Sequence, residues 1–339
     1  MKNYKKLLAA AVAASLAMFT LAGCGGSGGG TTTGGSATTE TKDADGSYKV
    51  GIVQLTEHKA LDAATKGFQD ALKDKLGDKV EFDLENAQGE QTTCATISSG
   101  FVTDKVDLIM ANATPALQAA AAATNEIPIL GTSVTDYASA LDISDWTGKT
   151  GKNISGTSDL APLEQQAAMI KEIKPDAQQV ALLYCSSEAN SKYQIENIEK
   201  ELDKLGLAYK EYSAADSNEV QSVVTKASTE CDVAYIPTDN VMADNTGIID
   251  NILKPAKIPV VAGEQSICSG CGTVTLSIDY YELGYATGEQ AYEILVNGKN
   301  PGEMEIETAK EVTKLYNADN CAAIGLEAPE GYQAIEKSE

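Results

Sequence analysis

The chain has 339 residues, with 26 lysine plus arginine against 49 aspartate plus glutamate, a formal net charge of −23. All 26 cations are lysine, and there is no arginine. So acidic a chain argues against a nucleic-acid partner. A ligand carboxylate could not be held by a guanidinium fork, which leaves hydroxyls, amides, helix N-termini or a lysine.

The chain opens on Lys2, Lys5 and Lys6, then an apolar run from Leu7 to Leu21 that is short for a membrane span. Leu21-Ala22-Gly23-Cys24 follows. Small residues before a cysteine resemble the cleavage site of bacterial lipoproteins, so residues 1–23 read as a signal peptide and Cys24 as the lipidated residue. Residues 24–47 are dominated by Gly, Thr, Ser and Ala and read as a flexible tether. About 290 residues remain, enough for two lobes.

From Tyr48 the pattern alternates. Strands are expected at Tyr48–Gln54, Val80–Leu84, Val106–Met110 and Ile127–Leu130. Helices are expected at Leu61–Leu76, Thr92–Val102 and Pro115–Thr124, the last with proline in its first turn. A second series follows. Its helices are Pro162–Ile173, Ser187–Leu205, Glu219–Ser228 and Met242–Leu253. Its strands are Gln179–Tyr184, Ala208–Tyr212, Asp232–Ile236 and Ile258–Ala262. Then come a strand Thr273–Ile278, a helix Tyr280–Val296 and edge strands within Glu305–Leu315. Repeated β-α units predict an α/β protein of two Rossmann-like lobes with parallel sheets and a hinge. The expected N-terminal lobe is residues 48–159 and 273–297. The expected C-terminal lobe is 160–272 and 298–330.

Six cysteines follow Cys24: Cys94, Cys185, Cys231, Cys268, Cys271 and Cys321. Cys268-Ser-Gly-Cys271 is the close pair, read as a local disulfide or two thiols rather than a metal site, because one CxxC cannot supply four ligands. No cofactor or metal is expected.

Ligands in open α/β sheets bind beyond the carboxyl ends of strands. The loops there are polar in both series: Gln54, Glu57 and His58; Thr114; Thr135 and Asp136; Ser158 and Asp159; Glu188 and Asn190; Asp239 and Asn240; and Asp279. The same residue types are good helix N-caps, so each loop has a purely structural alternative. Catalytic motifs are thin. Gly25-Gly26-Ser27-Gly28-Gly29 fits a hydrolase pattern but lies in the tether, with no strand before it.

Several stretches together resemble the tryptophan/tyrosine ABC transporter substrate-binding proteins. They are Val50-Gly51-Ile52-Val53-Gln54 with Glu57-His58, Ala113-Thr114-Pro115-Ala116, Ser133-Val134-Thr135-Asp136, Gly156-Thr157-Ser158-Asp159, Glu188-Ala189-Asn190-Ser191, Pro237-Thr238-Asp239-Asn240 and Ile278-Asp279-Tyr280-Tyr281. The resemblance runs from about Lys49 to Leu326. It implies a type I periplasmic binding protein fold and a non-enzymatic, monomeric, lipid-anchored protein that delivers an L-amino acid to an ABC permease. An ammonium acceptor is expected among Asp136, Asp159, Glu188 and Asp239, with Asp239 preferred. Carboxylate donors are expected among Thr114, Thr135 and Ser158, and an aromatic wall at Tyr137 or Tyr280. The alternatives are a sugar- or nucleoside-binding protein and a secreted hydrolase using Glu57 and His58.

Overall fold

A computed structural model describes residues 46–336. The expected signal peptide, Cys24 and nearly all of the tether lie outside the described residues. The first series is β1 (Tyr48–Gln54), α1 (Lys59–Leu76), β2 (Val80–Asn86), α2 (Gln91–Asp104), β3 (Leu108–Asn112), α3 (Thr114–Ala123), β4 (Ile129–Val134), α4 (Tyr137–Ala140) and β5 (Ile154–Ser158). The second is α5 (Leu163–Ile173), β6 (Gln179–Cys185), α6 (Ala189–Leu205), β7 (Ala208–Ala214), α7 (Val220–Glu230), β8 (Val233–Ile236), α8 (Asn240–Asp244), α9 (Thr246–Leu253), β9 (Val260–Ala262), α10 (Gln265–Gly270) and β10 (Val274–Ser277). The chain ends with α11 (Tyr280–Leu295), β11 (Glu307–Thr308), β12 (Thr313–Tyr316), α12 (Ala318–Ile324) and β13 (Gln333–Ala334).

The strands form two sheets, ordered β11-β5-β4-β3-β1-β2 and β13-β12-β10-β9-β8-β6-β7. All pairs are parallel except β10 with β12. Strands such as β3 and β4 are buried at every position, as a sheet covered on both faces requires. The chain passes between the sheets three times: from β5 to α5, from β10 to α11, and from β11 to β12.

Three expectations need correction. Residues 274–277 were assigned to the first lobe, but β10 pairs with β9 in the second sheet. Conversely, β11 was placed in the second lobe, yet it pairs with β5 in the first sheet. The helix expected over Met242–Leu253 is two helices, because Asn245 leaves helical geometry between α8 and α9. All six cysteines from Cys94 to Cys321 are free thiols.

The return of α11 to the first lobe rests on glycine. The predicted stripe of Leu61, Ala64, Phe68, Ala71 and Leu72 is buried on α1. There α1 meets α11 backbone to backbone. A Cβ on Gly67 would lie 2.0 Å from the Tyr281 carbonyl oxygen, and one on Gly284 would lie 1.9 Å from that of Ala64. Gly284→Ala therefore forces the helices apart and should cost about 1–3 kcal/mol, lowering Tm by several degrees. Gly100, exposed on α2 with open space around it, is the control. Gly100→Ala should stabilise by about 0.5–1 kcal/mol. Thermal melts of both variants check the pair; equal effects would contradict the close contact.

Candidate functional site

The carboxyl ends of both sheets turn toward one another. Thr56, just beyond β1, donates to Asp244 Oδ2 on α8 at 3.0 Å. His58 Nε2 lies 3.2 Å from Asn240 Oδ1. Tyr280, at the start of α11, donates to Asp159 Oδ2 at 2.9 Å. Helix α6 of the second lobe also packs on α3 and α4 of the first. Several of the loops singled out in the sequence thus meet in one region between the two sheets.

Asp159 sits at the crossover side of this gap and is 3% exposed. Thr135 donates to its Oδ1 at 3.1 Å, and Ser158 supports Thr135 by donating to its carbonyl oxygen at 2.8 Å. Burial pushes the Asp159 carboxyl up to about 6; the bonds from Tyr280 and Thr135 oppose the push, and the nearby charge of Glu264 adds to it. Burial likewise holds the Tyr280 hydroxyl in its neutral, donating form. Glu264 is buried as well, and caps α10 by accepting from the backbone of Ser266 and Ile267.

A second acidic pair lies across the gap. Asp239 accepts from the Cys185 N–H at 2.6 Å, the Ser191 hydroxyl at 2.7 Å and the Met242 N–H at 2.8 Å. These donors occupy most of its acceptor sites. In this structure the preferred ammonium acceptor of the sequence reading acts as a helix cap and a strand tie. Glu188 accepts from Asn190 Nδ2, Asn240 Nδ2 and the N–H groups of Asn240 and Val241. Burial and the charge of Asp239 push its carboxyl upward, against those donors.

Several buried polar atoms on these loops lack partners among the described residues. Thr114 Oγ1, Ser133 Oγ, Asn190 Oδ1 and His58 Nδ1 are buried and find no hydrogen bond among the described residues. Thr114 opens α3. The residue before it, Ala113, has φ 90° and ψ 156°. Ser133 has φ 54°. Both conformations are unfavourable for side-chain-bearing residues, and such strain gathers at functional sites.

The remaining candidates have other work. Gln54 is committed within its own lobe: it donates to the Thr56 carbonyl oxygen and Asp62 Oδ1, and accepts from Thr65. Asp136 and Asp279 cap α4 and α11 through backbone N–H groups. Glu57 is exposed. Tyr137 is no cleft wall: it is 1% exposed in the core, its hydroxyl donating to the Thr157 carbonyl oxygen. Sequence reasoning missed Asp244, hidden inside one expected helix, and undervalued Ser133 and Glu264. A groove of ≈ 780 Å³ runs along the crossover side past Lys59, Glu264, Ile278, Tyr280 and Tyr285. It is not lined by Thr114, Ser133, Asp159, Glu188 or Asn190.

Asp159 yields a pH prediction. Its folded-state value of about 6 lies above the ordinary 3.8. The folded protein takes up that proton first, so the penalty from Asp159 is full above pH 6 and disappears as pH falls toward 4. Asp159→Asn removes the penalty. The ligand-free variant should be about 1–3 kcal/mol more stable than wild type at pH 8, with the gain lost by pH 4. Urea unfolding at both pH values measures it; a pH-independent difference would refute the buried-charge account.

The sequence model of the family described as "ABC transporter substrate binding protein" matches residues 49–334. A protein of Clostridioides difficile (strain R20291) named "Tyrosine-binding protein" is 35% identical over 328 residues, 95% of this chain and 93% of that one. An ABC domain from Streptococcus pneumonia in complex with L-Trp superposes with a TM-score of 0.81 at 30% identity, covering 85% of this chain and all of that one. A ligand-free, open substrate binding protein with adhesive properties from Clostridium difficile is 36% identical yet gives a TM-score of 0.66, covering 86% of this chain and all of that one.

Proposed function

The chain belongs to the ABC transporter substrate-binding protein family, and from that membership and the interlobe geometry we propose that it binds an aromatic L-amino acid in the gap between its lobes. The observation that carries the reading is a cluster of buried acids at the meeting of the two lobes. Asp159, Glu188, Asp239 and Glu264 are all buried, and none takes part in an ion pair among the described residues. An α-ammonium group supplies the missing charge. Asp159 is its acceptor in this reading, since two side-chain donors leave lone pairs free that Asp239 lacks. The Thr114 and Ser133 hydroxyls and the amides opening α3 receive the carboxylate.

The relatives support this choice of ligand, one being named for tyrosine binding and the other holding L-Trp. The higher TM-score to the Trp complex than to the open structure, despite lower identity, supports a closed arrangement of the lobes and a hinge between them. The reading is of binding without turnover. Glu57 is exposed, and His58 Nε2 is engaged by Asn240, so neither is arranged as half of a catalytic pair. A monomer tethered outside the cell through acylated Cys24, delivering its ligand to a permease, completes the proposal.

Calorimetry tests the site. Asp159→Asn, folded and at pH 8, should weaken amino-acid binding about ten- to a hundredfold. Asp239→Asn should chiefly lower stability, because an amide NH2 would face donors. The opposite pattern would return the ammonium to Asp239. Separately, Cys24→Ser should abolish incorporation of labelled palmitate in growing cells; continued labelling would exclude Cys24 as the acylated residue.

A further inference from the structure

His58 is the only histidine in the chain, and the hydrogen bonds around it settle which ring nitrogen carries the proton. The chain of logic starts at Glu188. Its Oε1 accepts from the Val241 N–H and its Oε2 from the Asn240 N–H, so each oxygen serves as an acceptor. The same Oε2 lies 2.8 Å from Asn240 Nδ2. With the Glu188 carboxylate ionised and accepting, the Asn240 amide is oriented with its nitrogen toward Glu188 and its oxygen away. That oxygen lies 3.2 Å from His58 Nε2. A carbonyl oxygen only accepts, so Nε2 holds the hydrogen, and in the neutral ring Nδ1 is a bare acceptor. Nδ1 is buried and has no donor among the described residues. Nor does it cap α1, although His58 stands at the N-cap position.

The location narrows what this acceptor meets. Asp159 follows β5, and His58 follows β1. Strands β4 and β3 separate β5 from β1, three strand spacings or roughly 14 Å along the sheet edge. Thr114 and Ser133 lie between, at the ends of β3 and β4. An amino acid with its ammonium at Asp159 and its carboxylate at Thr114 and Ser133 extends its side chain toward His58. An extended tyrosine with a hydrogen bond of ~3 Å at each end spans a distance of this order.

We propose that His58 Nδ1 accepts a hydrogen bond from the ligand side chain, so that the protein selects aromatic amino acids bearing an O–H or N–H donor, tyrosine and tryptophan, over phenylalanine. This rests on the amino-acid reading above. Phenylalanine presents only C–H groups and leaves the acceptor buried and unpaired, and a site built around a ligand hydrogen bond rejects the analogue that lacks it.

Calorimetry on the full-length chain in detergent tests this with L-tyrosine, L-tryptophan and L-phenylalanine. Wild type should bind one or both of the first two at least about tenfold more tightly than phenylalanine. His58→Leu should erase that preference by weakening tyrosine and tryptophan while sparing phenylalanine. Equal binding of phenylalanine by wild type, or an equal loss for all three ligands in the variant, overturns the proposal and leaves His58 as an interlobe contact. If no amino acid binds wild type, the amino-acid reading itself fails, and this proposal with it. A second measurement needs no variant. Selective 15N-histidine labelling gives one imidazole pair. Spectra at pH 8.5 should show the Nε2–H form, with the Nδ1 resonance moving on addition of tyrosine or tryptophan but not phenylalanine. An Nδ1–H form, or an Nδ1 resonance indifferent to a bound tyrosine or tryptophan, overturns the proposal.

Discussion

Buried carboxyl groups with no ion-pair partner among the described residues are the constraint around which this molecule is arranged. Burying a carboxylate is unfavourable unless hydrogen bonds or an opposite charge compensate it. Asp239, Glu188 and Glu264 are compensated by backbone N–H groups at the starts of α8 and α10. Those N–H groups exist because each strand ends in a helix, and partial positive charge gathers at a helix start. Asp159 is different. It follows β5 with no helix immediately behind it, and its side-chain partners are two hydroxyls. It is the acid most dependent on a charge from outside.

The same topology explains why the gap closes where it does. Parallel strands put all their carboxyl ends on one edge. The register carries Gln54 beside Asn112 and Asn112 beside Thr132, so these ends form one level surface. Gln54 and Asn112 are used to seat α1: through Thr65 they share one hydrogen-bonded network, and Asn112 also donates to the Leu61 carbonyl oxygen. The α1 thus anchored then receives α11 on its glycine face. That pulls Tyr280, which begins α11, to Asp159. A packing contact more than one helical turn away sets the position of a hydroxyl in the site.

Much of this was legible in the sequence, and the failures have physical causes. Alternating β-α periodicity located β1 and the body of α1, because a buried parallel strand and an amphipathic helix leave different hydrophobic periods. Strand β5 left no such mark. Ile154-Ser155-Gly156-Thr157-Ser158 looks like a loop, yet all five residues are buried. Gly156 explains the composition: it holds φ 141°, and a Cβ there would lie 2.0 Å from the Gly131 carbonyl oxygen. The crossing points were misread for another reason. Strands β10 and β11 are short, and nothing in a short strand states which sheet it joins. For the site, the polar loops were found but their ranking was not. Asp239 and Asp159 are the same residue type, each just beyond the carboxyl end of a strand. What separates them is how many N–H groups already point at each, a property of three dimensions.

The balance between open and closed lobes follows from these terms. In the closed arrangement the lobes are joined by contacts such as Thr56 with Asp244 and His58 with Asn240, each an ordinary hydrogen bond. Burial of Asp159 disfavours its charged form, raising its carboxyl to about 6. A ligand shifts such an equilibrium only by its differential affinity for the two states. An ammonium group gains most where the carboxylate is most desolvated, which is in the closed state. With the ammonium at Asp159, as proposed above, charge recognition is coupled to lobe closure, and a neutral isostere of the ligand fails to close the lobes as well as to bind tightly.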